Sequence, residues 1–159
     1  MVAATHKTGV IGLGIMGRRM ITNLVNHDRF TNPCAWDPNP QACTDAVAEL
    51  PGLTIMGSAD AVIAAADLVY ITAPPLWHRE YAERAKAAGK PVYSEKPLGI
   101  DVADSHALVT ELEESGVPNV VNFIQAASRA VMLTEERIGS GALGDIMGAD
   151  IIVLSLIHI

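Results

Sequence analysis

Val10-Ile11-Gly12-Leu13-Gly14-Ile15-Met16-Gly17 is an apolar run that breaks into spaced glycines and passes into a helical pattern. Gly12, Gly14 and Gly17 fit the G-x-G-x-x-G fingerprint. Its first glycine permits a tight turn, its second lets backbone approach a diphosphate, and its third lets helix lie on strand. The helix expected from about Ile15 to Val25 then directs its free N–H groups, those of Ile15 and Met16 foremost, and its positive dipole end at the phosphates. Met16, Met20, Leu24 and Val25 recur at helical spacing and are expected to form its core-facing stripe. Asp37 follows Gly17 by 20 residues, at the end of a second expected strand from Pro33 to Asp37. A carboxylate there can accept hydrogen bonds from both ribose hydroxyls of NAD and repels the 2′-phosphate of NADP, which favours NAD. The alternative is that Asp37 caps the helix starting near Pro40.

Outward from this turn, strands and helices alternate. Strands are expected at Gly9–Leu13, Pro33–Asp37, Leu53–Met56, Asp67–Thr72, Pro91–Ser94 and Asn119–Phe123. Helices are expected between them, with Ser58 or Asp60, Asp101 and Ser128 as N-caps. Glycine and proline punctuate the connections at Ala73-Pro74-Pro75, Gly89-Lys90-Pro91 and Gly116-Val117-Pro118. Six alternations with short connections predict an α/β fold, a right-handed doubly wound parallel sheet of Rossmann type. The expected strand order is 3-2-1-4-5-6, with ligand over the carboxyl ends of the first and fourth strands.

The bulk properties agree with one globular domain. The chain has 159 residues, 50% hydrophobic and 18% charged, with a formal net charge of −7 and no cluster of Lys and Arg. That balance argues against nucleic acid and anionic membrane as partners. Cys34 and Cys43 are too few and too unpatterned for a disulfide framework or a metal site, so no metal is expected. Neither a signal peptide nor an apolar run of membrane-spanning length is present, which makes the cytoplasm the default location. The last six residues, Leu154-Ser155-Leu156-Ile157-His158-Ile159, read as the translation of a transposon-end adapter used in library preparation. Residues 154–159 are therefore expected to be a non-native tail, the alternative being a natural strand.

Glu95-Lys96-Pro97 is a second chemical landmark, at the carboxyl end of the fifth strand and on the ligand side of the sheet. Proline holds the preceding residue extended, so Lys96 is expected to project from a strand end. An ammonium there can hydrogen-bond a substrate hydroxyl or the nicotinamide amide. To act as a base near neutrality its pKa must fall from about 10.4, a direction in which desolvation and a positive nicotinamide ring both push.

With these residues in hand, the chain resembles the Gfo/Idh/MocA oxidoreductase family. The matches run in order: the turn from Gly12 to Gly17, Thr72-Ala73-Pro74-Pro75 with His78, Gly89-Lys90-Pro91-Val92, Glu95-Lys96-Pro97-Leu98, and Ser140-Gly141-Ala142-Leu143-Gly144-Asp145-Ile146. The resemblance covers about Thr8 to Val153. It implies an NAD-binding Rossmann domain over residues 6–123 and the start of a truncated substrate and dimerisation domain over residues 124–153. The first strand of that second domain is expected from Ile146 to Val153. The resemblance further implies that Ala73, Pro74 and Pro75 line the cofactor site and that Glu95, Lys96 and Pro97 line its nicotinamide end, Pro97 often following a cis peptide. His78 either lies at the cofactor's edge or is a solvated helix-start residue, and Trp77 either packs on the cofactor or covers the sheet edge.

One position departs from the family. An aromatic-basic pair and a proline usually follow the sixth strand, where this chain reads Phe123-Ile124-Gln125-Ala126-Ala127-Ser128-Arg129. Gln125 or Arg129 could substitute as the contact. The His, often with an Asp, that completes proton transfer in dehydrogenases of this family would lie beyond Ile159. The expectation is therefore an NAD-dependent dehydrogenase of a sugar, polyol or related hydroxylated small molecule, with Lys96 catalytic and the longer protein a homo-oligomer. The chain as it stands is expected to bind nucleotide without turning over. Alternatives are a 3-hydroxyacid dehydrogenase, whose family shares the glycine turn with Met20 and Asn23-Leu24, an NAD-dependent glycoside hydrolase, and a non-catalytic sensor of the same fold.

Overall fold

The computed structural model describes residues 5–148 and 150. They form two compact units that divide after Asn122. The first unit alternates β1 (His6–Ile11), α1 (Ile15–Val25), β2 (Phe30–Trp36), α2 (Pro40–Glu49), β3 (Thr54–Ile55), α3 (Ala59–Ala65), β4 (Leu68–Ile71), α4 (His78–Ala87, entered through a 3-10 turn at Pro75–Trp77), β5 (Val92–Glu95), α5 (Val102–Ser115) and β6 (Asn119–Asn122). The sheet is parallel throughout, in the order β3-β2-β1-β4-β5-β6. This is the doubly wound Rossmann topology expected from the alternation.

The pleat sorts the core into two layers. Side chains alternate faces along a strand, so Ile11, Cys34, Val69, Ile71 and Val92 meet α3, α4 and α5 on one face. Val10, Ala35 and Tyr70 point the other way, towards Ile21 of α1 and Ala46 of α2. Gly9 brings α3 hard against β1: a Cβ there would stand 2.5 Å from Val62 Cγ1 and 2.8 Å from the Ala66 methyl.

Helices α3 and α5 start at the expected caps, as does the helix that follows Ser128 in the second unit. Ser58 Oγ accepts from Ala61 N at 3.1 Å and Asp101 Oδ1 from Asp104 N at 2.8 Å. The cap of α2 is Asn39, accepting from Gln41 N at 3.0 Å, and not Asp37. Strand β2 starts earlier than expected, because the register against β1 slips between Lys7 and Gly9 and gives β2 one extra residue near Pro33. A proline inside an interior strand cannot donate to the ladder, and a bulge is where it is tolerated. Strand β1 is displaced too, ending at Ile11, because the chain turns away at Gly12 with φ +106°.

The stripe of α1 also differs from expectation. Gly17, Ile21 and Leu24 are the buried positions, Met16 and Met20 are half-buried, and Val25 is exposed. Gly17 itself faces the sheet, and the buried arc follows from it at positions 17, 21 and 24.

In the second unit, α6 (Arg129–Gly139) starts at Ser128, whose Oγ accepts from Val131 N at 3.3 Å. Ile146, Met147 and Gly148 form no strand, and the rest of the strand expected up to Val153 lies outside the described residues apart from Asp150. The tail at 154–159 lies outside them as well. No helix among the described residues is long and apolar enough to cross a membrane.

Candidate nucleotide site

The glycine turn is held by contacts that leave no room for side chains at two of its three glycines. A Cβ on Gly12 would stand 2.7 Å from Ala73 N, and one on Gly17 would stand 2.1 Å from Gly12 O. Both distances lie far inside van der Waals contact. Thr72, at the end of β4, locks the same spot: its hydroxyl donates to Gly12 O at 2.6 Å and lies 2.8 Å from where the Gly17 Cβ would be. Gly14 is the opposite case. It is exposed, and a Cβ there would meet no atom within 4 Å. The space over Gly14 is thus kept clear by the absence of a side chain, next to the first turn of α1.

That first turn has no internal partners for its N–H groups. The first helical bond runs from Arg18 N to Gly14 O at 3.1 Å, and no side chain among the described residues caps the turn. Ile15, Met16 and Gly17 therefore present unpaired N–H groups at the positive end of the helix dipole. Ile15 is 75% exposed, as befits a residue contributing backbone at a surface. The combination of an open backbone cradle and unpaired donors fits a diphosphate.

Asp37 braces this turn. Its Oδ2 accepts from Leu13 N at 2.7 Å and its Oδ1 from Asn39 N at 2.8 Å. Each oxygen keeps a second lone pair, so the carboxylate can still accept from other donors. Asp37, Gly12 and Gly14 line a cleft of about 590 Å³ together with Ala73, Pro74, Trp77 and Tyr81. Tyr81 and Trp77 are the aromatic walls. Tyr81 packs edge-on against Trp36, and burial, with Glu80 adding to it, pushes its hydroxyl above the usual phenol range. Tyr81 and Pro38 carried no signal in the sequence: both owe their place to the way α4 and the β2–α2 loop meet over the sheet edge.

His78 is fully buried, which excludes a solvated role. Its Nε2–H donates to Ala73 O at 2.7 Å, and Nδ1 has no hydrogen-bond partner among the described residues. The ring thus fastens the loop formed by Ala73, Pro74 and Pro75 from beneath, and any influence on a nucleotide passes through that loop.

Glu95 is also buried, at 5% exposure. Its carboxylate accepts from the Tyr70 hydroxyl, from Asn122 Nδ2 at 2.6 Å, and from Lys96 N at 3.2 Å. Tyr93 completes the set by donating to Asn122 Oδ1 at 2.7 Å. Burial, reinforced by the Glu95 carboxylate, drives the Tyr70 hydroxyl well above the usual phenol range. Glu95 faces the same side of the sheet as Tyr70 and Tyr93 because residues 93 and 95 are two apart on β5. The periodicity of a four-residue strand was too short to reveal this network.

Lys96 and Pro97 are exposed, and the bond between them is cis. Register places Lys96 on the edge of the sheet that carries the glycine turn. Ile11 pairs with Ile71 and Ile71 with Ser94, so Gly12, Thr72 and Glu95 stand at one level, and Lys96 leaves β5 one residue beyond it. Two strand spacings separate β1 from β5, about 10 Å. Gln125 belongs to the second unit, in the turns between β6 and α6.

Comparison with known proteins gives the same family as the motifs. The Gfo/Idh/MocA profile, described as an oxidoreductase family with an NAD-binding Rossmann fold, matches residues 6–123. An oxidoreductase of Streptococcus pneumoniae is 27% identical over 89% of this chain and 38% of its own length. An inositol 2-dehydrogenase of Cereibacter sphaeroides is 33% identical over 84% of this chain and 41% of its own length. Among solved structures, scyllo-inositol dehydrogenase of Lactobacillus casei with bound NAD(H) and scyllo-inositol superimposes with a TM-score of 0.80 at 26% identity, over 89% of this chain and 43% of that one. The chain spans about two fifths of the length of these relatives. The family match sets aside the 3-hydroxyacid dehydrogenase alternative, and the chain belongs to the Gfo/Idh/MocA oxidoreductase family, with that family's NAD-binding Rossmann fold.

Proposed function

We propose that this chain is the nucleotide-binding part of an NAD-dependent dehydrogenase acting on a sugar, a polyol or a related hydroxylated small molecule. The observation that carries the reading is the shared edge: the open cradle at Gly14 and the amine of Lys96 follow parallel strands that end within one residue of the same level. The N–H groups at the start of α1 would hold the diphosphate, Asp37 the adenosine ribose, and Trp77 with Tyr81 the flank of the adenine. Ala73, Pro74 and Pro75 would line the middle of the site. Bound there, NAD supplies a ring that accepts a hydride from a carbinol carbon. Lys96 would hydrogen-bond the substrate hydroxyl and carry its proton, and Pro97 fixes the direction in which Lys96 leaves the strand. Relatives named as inositol dehydrogenases support a polyol substrate, and the one with bound scyllo-inositol supports it further.

Two measurements test this. Calorimetry on the chain should show NADH binding, and absence of binding would refute the assignment. In a polypeptide that continues to the relatives' length, Lys96→Ala should cut kcat by about a hundredfold or more, the scale of a positioned acid–base group, with NADH affinity changed less than a few-fold. Unchanged turnover would remove Lys96 from the proton path.

A further inference from the structure

A second pocket opens beside the nucleotide cleft and shares Gly14 and Asp37 with it. Its volume is about 310 Å³, and its other walls include Arg18, Gln41 and Asp45. Arg18, in the first turn of α1, is the one cationic side chain lining it among the described residues. The guanidinium does not stand unopposed. Its Nη1 pairs with Glu49 Oε1 at 2.9 Å, at the end of α2, which leaves it 28% exposed. Asp45, one turn earlier on α2, accepts from Gln41 Nε2 at 2.8 Å and adds another carboxylate to the wall. A ribose held by Asp37 would direct its 2′ position to this side, where one Arg faces the carboxylates of Asp37, Asp45 and Glu49.

We infer that Arg18 is a latent ligand for a 2′-phosphate, held out of that role by its ion pair with Glu49. The inference rests on the nucleotide reading above and extends it. Asp37 alone is not the whole barrier to NADP: Glu49 withdraws the cation that would otherwise receive the extra phosphate, and Asp45 adds like charge. Arg is suited to this role because its planar fork engages phosphate through two N–H groups at once.

Calorimetry with NADH and NADPH on a small set of variants tests it, with the melting temperature of each as a check on folding. Asp37→Asn removes charge while keeping an acceptor for Leu13 N, and NADPH affinity should rise about tenfold, the scale of one like charge lifted near a protein surface. Adding Glu49→Gln should raise it about threefold more. Arg18→Met on the double variant should abolish the added gain and leave NADH affinity unchanged. If Asp37→Asn lowers the melting temperature too far to be used, the same comparison with Asp37 intact applies: Glu49→Gln should raise NADPH affinity about threefold, and Glu49→Gln with Arg18→Met should not. NADPH affinity indifferent to residue 18 or to residue 49 would overturn this role of Arg18 while leaving NADH binding in place. Failure of NADH to bind the unmodified chain would overturn the nucleotide reading, and this inference with it.

Discussion

Gly17→Ala and Gly14→Ala differ by one methyl group each and should fail in different ways. At Gly17 the new carbon would stand 2.1 Å from Gly12 O and 2.8 Å from Thr72 Oγ1. A carbon and a carbonyl oxygen need roughly 1 Å more than that, so α1 must lift from the sheet or the turn must open. Overpacking of this kind costs about 1–3 kcal/mol. The displaced turn also loses the Thr72 hydroxyl bond to Gly12 O, now 2.6 Å, which adds about 1 kcal/mol. The total, about 2–4 kcal/mol, is a large share of the ~5–15 kcal/mol that holds a typical domain together. Urea denaturation should show it as a lower midpoint with an unchanged slope. At Gly14 the new methyl would meet nothing, and the backbone there has φ −66°, which alanine adopts freely. Stability should therefore stay within about 0.5 kcal/mol of the parent, while the methyl stands in the cradle and NADH affinity falls about tenfold or more. Wild-type stability for Gly17→Ala, or wild-type NADH affinity for Gly14→Ala, would refute the reasoning.

Other expectations follow from the buried polar groups. His78→Ala should lower the melting temperature and weaken NADH binding through the loop it fastens, and His78→Gln, which returns a donor towards Ala73 O, should recover part of both. Glu95→Ala should destabilise by about 2–4 kcal/mol, since the Tyr70 O–H and one N–H of Asn122 lose their buried acceptor, and Glu95→Gln should cost less; equal stability of the Ala variant by denaturation would refute the network's role. The chain's three tyrosines, Tyr70, Tyr81 and Tyr93, all hold their protons more tightly when folded than when unfolded, chiefly through burial. Above the unfolded phenol value of about 10 the unfolded chain loses those protons first, so stability is intact below that pH and falls as pH rises beyond it. Tyrosinate absorbance followed together with circular dichroism should show ionisation and unfolding rising together, and tyrosinate formed without loss of structure would count against it.

The turn and the alternation were legible because each rests on local chemistry. Glycines at 12, 14 and 17, the caps at Ser58, Asp101 and Ser128, and proline after Gly89 act within a few residues of themselves. The bulge at Pro33 follows from the same local rule, that proline donates nothing, yet in the sequence the proline reads as the first residue of the strand and not as an interior one. Side-chain direction was harder. His78 opens a helix and sits beside exposed Trp77, and only the fold of the Ala73 loop over it makes it a buried brace. Glu95 reads as a site residue because it adjoins Lys96, but adjacent residues on a strand point to opposite faces, and its own face belongs to Tyr70 and Asn122. Val25 is apolar, yet the buried arc of α1 is measured from Gly17 and leaves Val25 exposed.

The close seat of α3 on β1 has a bearing on which substitutions can coexist in this sheet. Hydrogen at position 9, the isopropyl group at 62 and the methyl at 66 share one small volume between strand and helix. Enlarging any one of them obliges another to shrink. An alanine at 9 should be damaging by itself and much less so beside a smaller residue at 62, so the two positions ought to trade size as a couple rather than vary independently.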